Sequence, residues 1–157
     1  MVSPSPPSST PLGFRHSTPV QIRFTDIDQL EHVTNSVYQQ YYDMGRMAYF
    51  DQVLGEPMDW KREGLVLVSL SLDFLSPIRL HHRVEVCTRV VSIGRRSVRM
   101  EQEIYNHTTG CVCSRSRSVM AACVEHGSRS VPVPARWVER MAAHEPQGMP
   151  IEPCERG

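Results

Sequence analysis

Residues 20–53 read VQIRF, then TDIDQLEHVTN, then SVYQQYYDMGRMAYFDQV: an alternating stretch, a polar stretch and a long aromatic-rich one. In Val20-Gln-Ile22-Arg-Phe24 apolar and polar residues alternate with the period of a half-buried strand. Thr25 to Asn35 is a polar loop. Ser36 to Val53 has no Pro and one Gly, and places Val37, Tyr41, Met44 and Ala48 on one face at helical spacing. Its other apolar residues spread round the circumference, so this helix is wrapped by other elements. Over 18 residues it is roughly 27 Å long. Thr34 or Asn35 is placed to cap its start, and Gly55 to end it.

After Asp59 to Gly64 the pattern turns to β. Leu65 to Leu75 is a nearly continuous apolar run that stops before Pro77. Val84 to Ile93 alternates, with Val84, Val86, Thr88 and Val90 on one side. Gly94 to Ser97 reads as a hairpin connection, Val98 to Tyr105 alternates again, and Asn106 to Gly110 is the next turn. Cys111 to Val124 is the last long strand, and Arg136 to Ala143 a short helix after Pro132 and Pro134. The order is strand, one long helix, then four strands in a meander. One helix does not serve a repeating parallel sheet, so the expectation is an α+β fold with an antiparallel sheet of about five strands curled round the helix. A sheet of this size leaves a helix flank uncovered, which calls for a second copy.

At 157 residues the chain holds one domain, expected over 16–144. Residues 1–15 begin rich in Pro and Ser, and 145–157 hold Pro146, Gly148, Pro150 and Pro153; both read as disordered tails. Acidic and basic residues number 17 each, so no net charge draws the chain to nucleic acid or membrane. Lys61 is the only lysine. No apolar stretch is long enough to span a bilayer, and the first dozen residues lack a signal-peptide pattern. The cysteines are Cys87, Cys111, Cys113, Cys123 and Cys154, an odd count without a zinc-ribbon pair. Four of them sit in apolar or strand-like surroundings, which suits buried thiols in a reducing, cytoplasmic setting. His81 and His82 are neighbours; on a strand they point to opposite faces and do not readily share a metal.

The chemistry concentrates between Arg23 and Tyr38. Asp26 and Asp28 sit two apart at a strand end, and a polar loop then enters the helix N-terminus, with its unpaired N–H groups and positive dipole end. A carboxylate folded back over that terminus supplies a base or nucleophile beside an oxyanion site, the two needs of acyl transfer. Phe24-Thr-Asp26-Ile-Asp28, then His32-Val33, Asn35 and Tyr38, followed by Asp43 and Arg46, resembles the acyl-CoA thioesterases of the 4-hydroxybenzoyl-CoA thioesterase type, over about residues 18–143. Plant acyl-acyl carrier protein thioesterases carry a similar motif. The resemblance implies a hotdog fold, with Asp28 as catalytic carboxylate, nucleophile through a mixed anhydride or base for water. It implies the Asn35 backbone N–H as oxyanion donor, and no metal or cofactor. It implies an acyl-CoA substrate whose pantetheine runs along a subunit interface of a homodimer or homotetramer. An acyl carrier protein substrate stays open.

Other residues carry two readings. His32 is a hydrogen-bonding loop residue or an active-site participant. Asp26 reads as structural, Glu31 as a solvated loop residue, and Tyr41, Tyr42 and Tyr49 as core or interface. Tyr38 shares that reading and is also a candidate substrate contact. Asp43 and Arg46, three apart, read as an ion pair on the helix surface. Arg95 and Arg96 are candidate contacts for CoA phosphates or a solvated turn; Arg115 and Arg117 invite the same suggestion. Glu31 and Thr34 stand where the family often has Gly and Asn, and a Glu at positive φ costs on the order of 1 kcal/mol. A hydratase is disfavoured, because Leu30 replaces the Asn of Asp-x-Asn-Pro-x-His and no Pro follows. A non-catalytic binding module is the remaining rival.

Overall fold

The computed structural model describes residues 11, 13–146 and 148–151. Residues 1–10 and Cys154 lie outside the described residues. The strands are β1 (His16–Val20), β2 (Gly64–Phe74), β3 (Val84–Ile93), β4 (Ser97–Asn106), β5 (Cys111–Val124) and the two-residue β6 (Arg129–Ser130). The helices are α1 (Val37–Leu54), which ends on Gly55 at φ 68°, and α2 (Ala135–His144). One antiparallel sheet, in the order β1-β3-β4-β5-β2, curls round α1, with β6 added to the end of β5. This is the hotdog arrangement.

The first strand and the meander both need correction. β1 precedes the expected Val20–Phe24 by four residues, and Phe24–Asp26 is a single 3-10 turn. Pro19 lies inside β1, which is tolerable because β1 is an edge strand. Only β3, β4 and β5 form a meander; β2 pairs with β5 at the opposite edge. The helix needs cover on both flanks, and a β2 beside β3 would leave the β5 side of the sheet short.

The buried stripe of α1 runs through Tyr38, Tyr41, Tyr42, Gly45, Arg46 and Tyr49, not through Met44, which is exposed. Gly45 is required by close approach: a Cβ there would lie 2.5 Å from Val86 Cγ1. Two apolar clusters fill the space under α1. One holds Tyr49, Phe50, Leu54, Trp137 and Met141; the other holds Val33, Tyr38, Tyr41, Tyr42 and Ile78. Packing continues past both ends of 16–144. Phe14 is buried under the Arg89 guanidinium, 4.6 Å from the ring centre. Glu145 is buried and accepts from Tyr49 Oη at 2.7 Å and from the Val90 N–H at 3.0 Å.

Candidate active site

Beyond β1 the chain turns through Phe24–Asp26, and Ile27 bridges to Val33, closing a tight loop between them. Asp28 N–H donates to His32 O at 2.9 Å and Glu31 N–H to Asp28 O at 3.0 Å. The Asp28 side chain joins this loop through one oxygen only: Oδ1 accepts from the N–H of Leu30 at 2.8 Å and of His32 at 3.3 Å. Oδ2 accepts no hydrogen bond among the described residues, and Asp28 is exposed. The carboxylate is therefore held by its own loop through one oxygen, and the other has no partner among the described residues. The loop closes with Glu31 at φ 61°, the left-handed conformation that the sequence placed at risk there.

The start of α1 lies directly after. Thr34 N–H donates to Asp26 O, Val37 N–H to Thr34 O, and Tyr38 N–H to Asn35 O. Thr34 and Asn35 thus contribute carbonyls and not the side-chain caps expected of them; the capping position is Ser36, whose side chain makes no cap bond. No backbone carbonyl among the described residues accepts the Asn35 N–H. An uncapped helix start presents free donors and the positive end of the helix dipole, where an anion is stabilised.

Asp26 is held quite differently from Asp28. It is 1% exposed, and its carboxylate accepts from Tyr41 Oη at 2.6 Å, Arg23 N–H at 2.9 Å, Arg23 Nη2 at 3.0 Å and Arg23 Nε at 3.2 Å. Burial pushes its pKa up, but the hydrogen bonds from Tyr41 and Arg23, with the Arg23 charge, outweigh that and hold it below the ordinary carboxylate value. Asp26 O also takes the Thr34 N–H at 2.8 Å, so this one residue holds both ends of the Asp28 loop and ties it to α1. The Arg23–Asp26 spacing was readable, but the Tyr41 partner was not, because helical periodicity does not say where a phenol ends.

Tyr38 is 3% exposed and packs edge-on to Phe74 at 5.0 Å. Burial, with Cys113 and Asp28 nearby, pushes its phenol up to about 12, so it stays a protonated donor beside Asp28 at neutral pH. Phe74 and Leu75, at the end of β2, and Leu30 in the loop are exposed apolar residues around the same place. The His32 ring is half-buried and makes no side-chain hydrogen bond among the described residues.

Several candidates lie elsewhere. Arg95 and Arg96 are at the β3–β4 hairpin, at the other end of a ten-residue strand from the Asp28 loop, roughly 30 Å away along it. Arg96 Nη1 instead donates to Ser130 O at 3.2 Å. Arg115 pairs with Glu103 on the outer face. Only the Asp43 end of the Asp43–Arg46 pair lies at the surface: the Arg46 side chain is 3% exposed and reaches Gln102 Oε1 at 2.9 Å as well as Asp43. His81 and His82 occupy a turn and not a strand, with ring centres 4.6 Å apart. Cys87, Cys113 and Cys123 are buried, but Cys111, at the start of β5, is exposed. Among the described residues no helix is long and apolar enough to cross a membrane, and no three His, Cys, Asp or Glu side chains gather into a metal-holding group.

An aimed carboxylate before an uncapped helix start suits addition to a carbonyl, and comparison with known proteins names the class. Residues 22–141 match the Thioesterase-like superfamily, and the chain belongs to it. Family and fold together support a thioester hydrolase. Among individual relatives, a thioesterase from Thermus thermophilus, solved in complex with coenzyme A and Zn, is 34% identical, with TM-score 0.74 over 85% of this chain and 96% of that one. The PA5185 protein of Pseudomonas aeruginosa is 25% identical, with TM-score 0.77 over 86% and 94%. The chloroplastic acyl-acyl carrier protein thioesterase ATL2 of Arabidopsis thaliana is 31% identical over 99 residues, 62% of this chain; the match spans 53% of that protein's length.

Proposed function

We propose that the protein hydrolyses an acyl-CoA thioester to the free acid and CoA, with Asp28 as the reactive carboxylate. The observation that carries this is the half-used Asp28 side chain, Oδ1 fixed by loop amides and Oδ2 without a partner among the described residues, in the loop that leads into the helix start, where no backbone carbonyl among those residues accepts the Asn35 N–H. As a base, Asp28 takes a proton from water while the hydroxide adds to the thioester carbonyl. The oxyanion settles against the Asn35 N–H and the helix dipole. Collapse expels the CoA sulfur, which takes the proton back from Asp28. As a nucleophile, Oδ2 adds directly, CoA thiolate leaves, and water hydrolyses the mixed anhydride. The exposed Leu30, Phe74 and Leu75 give the acyl group an apolar rim.

A second copy is part of this reading. β2 is an eleven-residue edge strand with Val68 59% exposed, and Met44 on α1 is 55% exposed. A long apolar edge of that kind is a template for pairing. Sedimentation at micromolar concentration is expected to give a dimer or tetramer; a monomer would remove this part of the proposal.

The test of the chemistry is thiol release from acyl-CoAs of graded length and one aryl-CoA, with Asp28→Asn beside the parent. The variant is expected to lose about 100-fold or more in kcat, the scale of removing an acid–base group. Near-normal rates in the variant would move the chemistry elsewhere. Likeness to the plant enzyme makes acyl carrier protein esters the next substrates if CoA esters release nothing; silence from both would leave a binding module.

A further inference from the structure

A second, basic turn is bonded to the reactive loop. Val33 N–H donates to Ile78 O at 2.8 Å, and Ile78 is followed by Arg79-Leu80-His81-His82-Arg83. The turn is firmly built. Arg79 N–H donates to His82 Nδ1 at 2.9 Å, and His82 N–H to Arg79 O at 3.1 Å. The Asn106 amide meets the same His82 nitrogen at 2.9 Å. Arg83 N–H donates to Thr108 Oγ1 at 2.9 Å, and His107 N–H to Arg83 O at 2.8 Å. Burial, with His81 and Arg79 nearby, lowers the His82 pKa, which keeps its ring a neutral acceptor.

Holding the turn occupies the backbone and His82, and leaves two guanidinium groups uncommitted. Among the described residues Arg79 meets only Glu31, at 3.7 Å with both side chains exposed, and Arg83 pairs with no carboxylate. Arg23, Arg89 and Arg115, by contrast, are each taken by an acid within 3.1 Å. Beside the turn runs a groove of about 430 Å³ whose lining includes Val20, Ile22, Leu80 and Val84, with Arg83 and His107 on it. Its one acid, Glu85, already faces His107 Nε2 at 3.0 Å. Arg83 on an apolar floor, with Arg79 four residues before it held only by an exposed ion pair, suits a phosphorylated nucleotide, because guanidinium matches phosphate bidentately and the base needs an apolar seat.

Resting on the acyl-CoA reading, we infer that Arg79 and Arg83 anchor the phosphates of CoA, a task that Arg95 and Arg96 are too far from Asp28 to perform within one chain. The phosphodiester that joins pantetheine to a carrier protein shares this chemistry, and the test separates the two.

The experiment compares the parent, Arg79→Ala/Arg83→Ala and Arg95→Ala/Arg96→Ala on one acyl group carried by CoA, by N-acetylcysteamine and by a carrier protein. N-acetylcysteamine has no phosphate. The first double variant is expected to raise KM for the CoA ester about 10–100-fold, the scale of losing charge-assisted contacts, with kcat within about twofold. It leaves the N-acetylcysteamine ester unchanged; the Arg95/Arg96 variant is expected to leave both unchanged, and a CoA-ester KM raised in that variant instead would put the phosphates at the second copy's hairpin and overturn the inference. High salt raises the parent's KM for the CoA ester but not the double variant's. An unaltered KM for the CoA ester overturns the inference, as does an equal rise for both small esters, which would mean general damage. A rise confined to the carrier-protein ester overturns CoA as the ligand. Calorimetric binding of CoA against pantetheine decides the matter even if no ester is hydrolysed: a parent that binds both equally refutes the anchoring site, whereas CoA-selective binding lost in Arg79→Ala/Arg83→Ala upholds it and leaves only the hydrolytic reading to fail.

Discussion

Replacing Tyr41 by Phe tests whether Asp26 is the bolt of the Asp28 loop. The ring and its packing stay, and only the 2.6 Å hydrogen bond to Asp26 Oδ2 goes. Arg23 contributes three further bonds to the same carboxylate, but its side chain is 60% exposed, so its ion pair is screened and is worth roughly 0–1 kcal/mol. The phenol bond lies inside, and a hydrogen bond to a charged group contributes about 1.5–3 kcal/mol. Tyr41→Phe is therefore expected to lose about 2 kcal/mol in urea unfolding. That corresponds to a Tm lower by about 4–8 °C in a chain of this size. Asp26→Asn loses more, about 3 kcal/mol, because an amide N–H₂ then faces donors that it cannot accept from. Arg23→Ala loses least. The sign with pH is fixed too. The Asp26 pKa is lowered in the fold. Its contribution is then complete above the unfolded value of about 4 and fades as pH falls through the folded one, so parent and Asp26→Asn converge in acid. A Tyr41→Phe melt within about 0.5 kcal/mol of the parent, or Arg23→Ala as the costliest of the three, would refute the assignment.

Glu31→Gly is expected to stabilise the protein by about 0.5–1 kcal/mol, because relief at φ 61° exceeds the added freedom of the unfolded chain and only an exposed ion pair is lost; a destabilised variant in urea unfolding would mean that the Arg79 contact matters more than the backbone. His16 gives an acid-side prediction. Burial lowers its pKa, as His144 does, against Gln52 and Glu145, which raise it; neither ring nitrogen makes a well-formed hydrogen bond among the described residues, and Tyr49 packs edge-on at 5.4 Å. Stability from keeping it neutral is complete above the unfolded pKa of about 6.5 and declines as pH falls through the folded value. The Tm of the parent should therefore drop between pH 7 and 5 more steeply than that of His16→Leu, and parallel curves would count against a buried neutral ring.

What could be read in the sequence follows from which physical signal each element left there. α1, β3, β4 and β5 start and stop within one or two residues of where apolar period, Gly55 and the two turns put them. β1 was displaced because Val20, Ile22 and Phe24 keep a strand's alternation after the chain has left the sheet; Phe24 is 81% exposed. The place of β2 had no local signal, since apolar alternation says which face of a strand is inward but not which neighbour it pairs with. At the candidate site, the polar loop that runs from Asp28 into the helix start was legible as a loop. Arg46 misled because an i,i+3 charge pair looks the same on a surface as over a buried Gln102.

That buried polar layer explains why the loop and the helix start stay in register. The two apolar clusters under α1 tolerate small slides, since dispersion contacts are non-directional. Hydrogen bonds are directional, and several join α1 to the sheet between the clusters. Gln102 Nε2 donates to Tyr42 O at 3.1 Å and to Thr88 Oγ1 at 3.0 Å, and its Oε1 takes Arg46. Tyr42 Oη donates to Ser114 Oγ at 2.7 Å, which donates onward to Asp73 O at 2.8 Å. Gly45 lets the helix come close enough for these bonds to form. They fix α1 along its own axis on β3, β4 and β5, and Tyr41 then carries that position to Asp26 and the loop. A one-turn slip of about 5.4 Å would carry the Asn35 N–H out of reach of a carbonyl at Asp28. The polar groups that weaken this core as an apolar filling thus fix the helix start relative to the Asp28 loop, and a fixed placement is what the proposed chemistry requires.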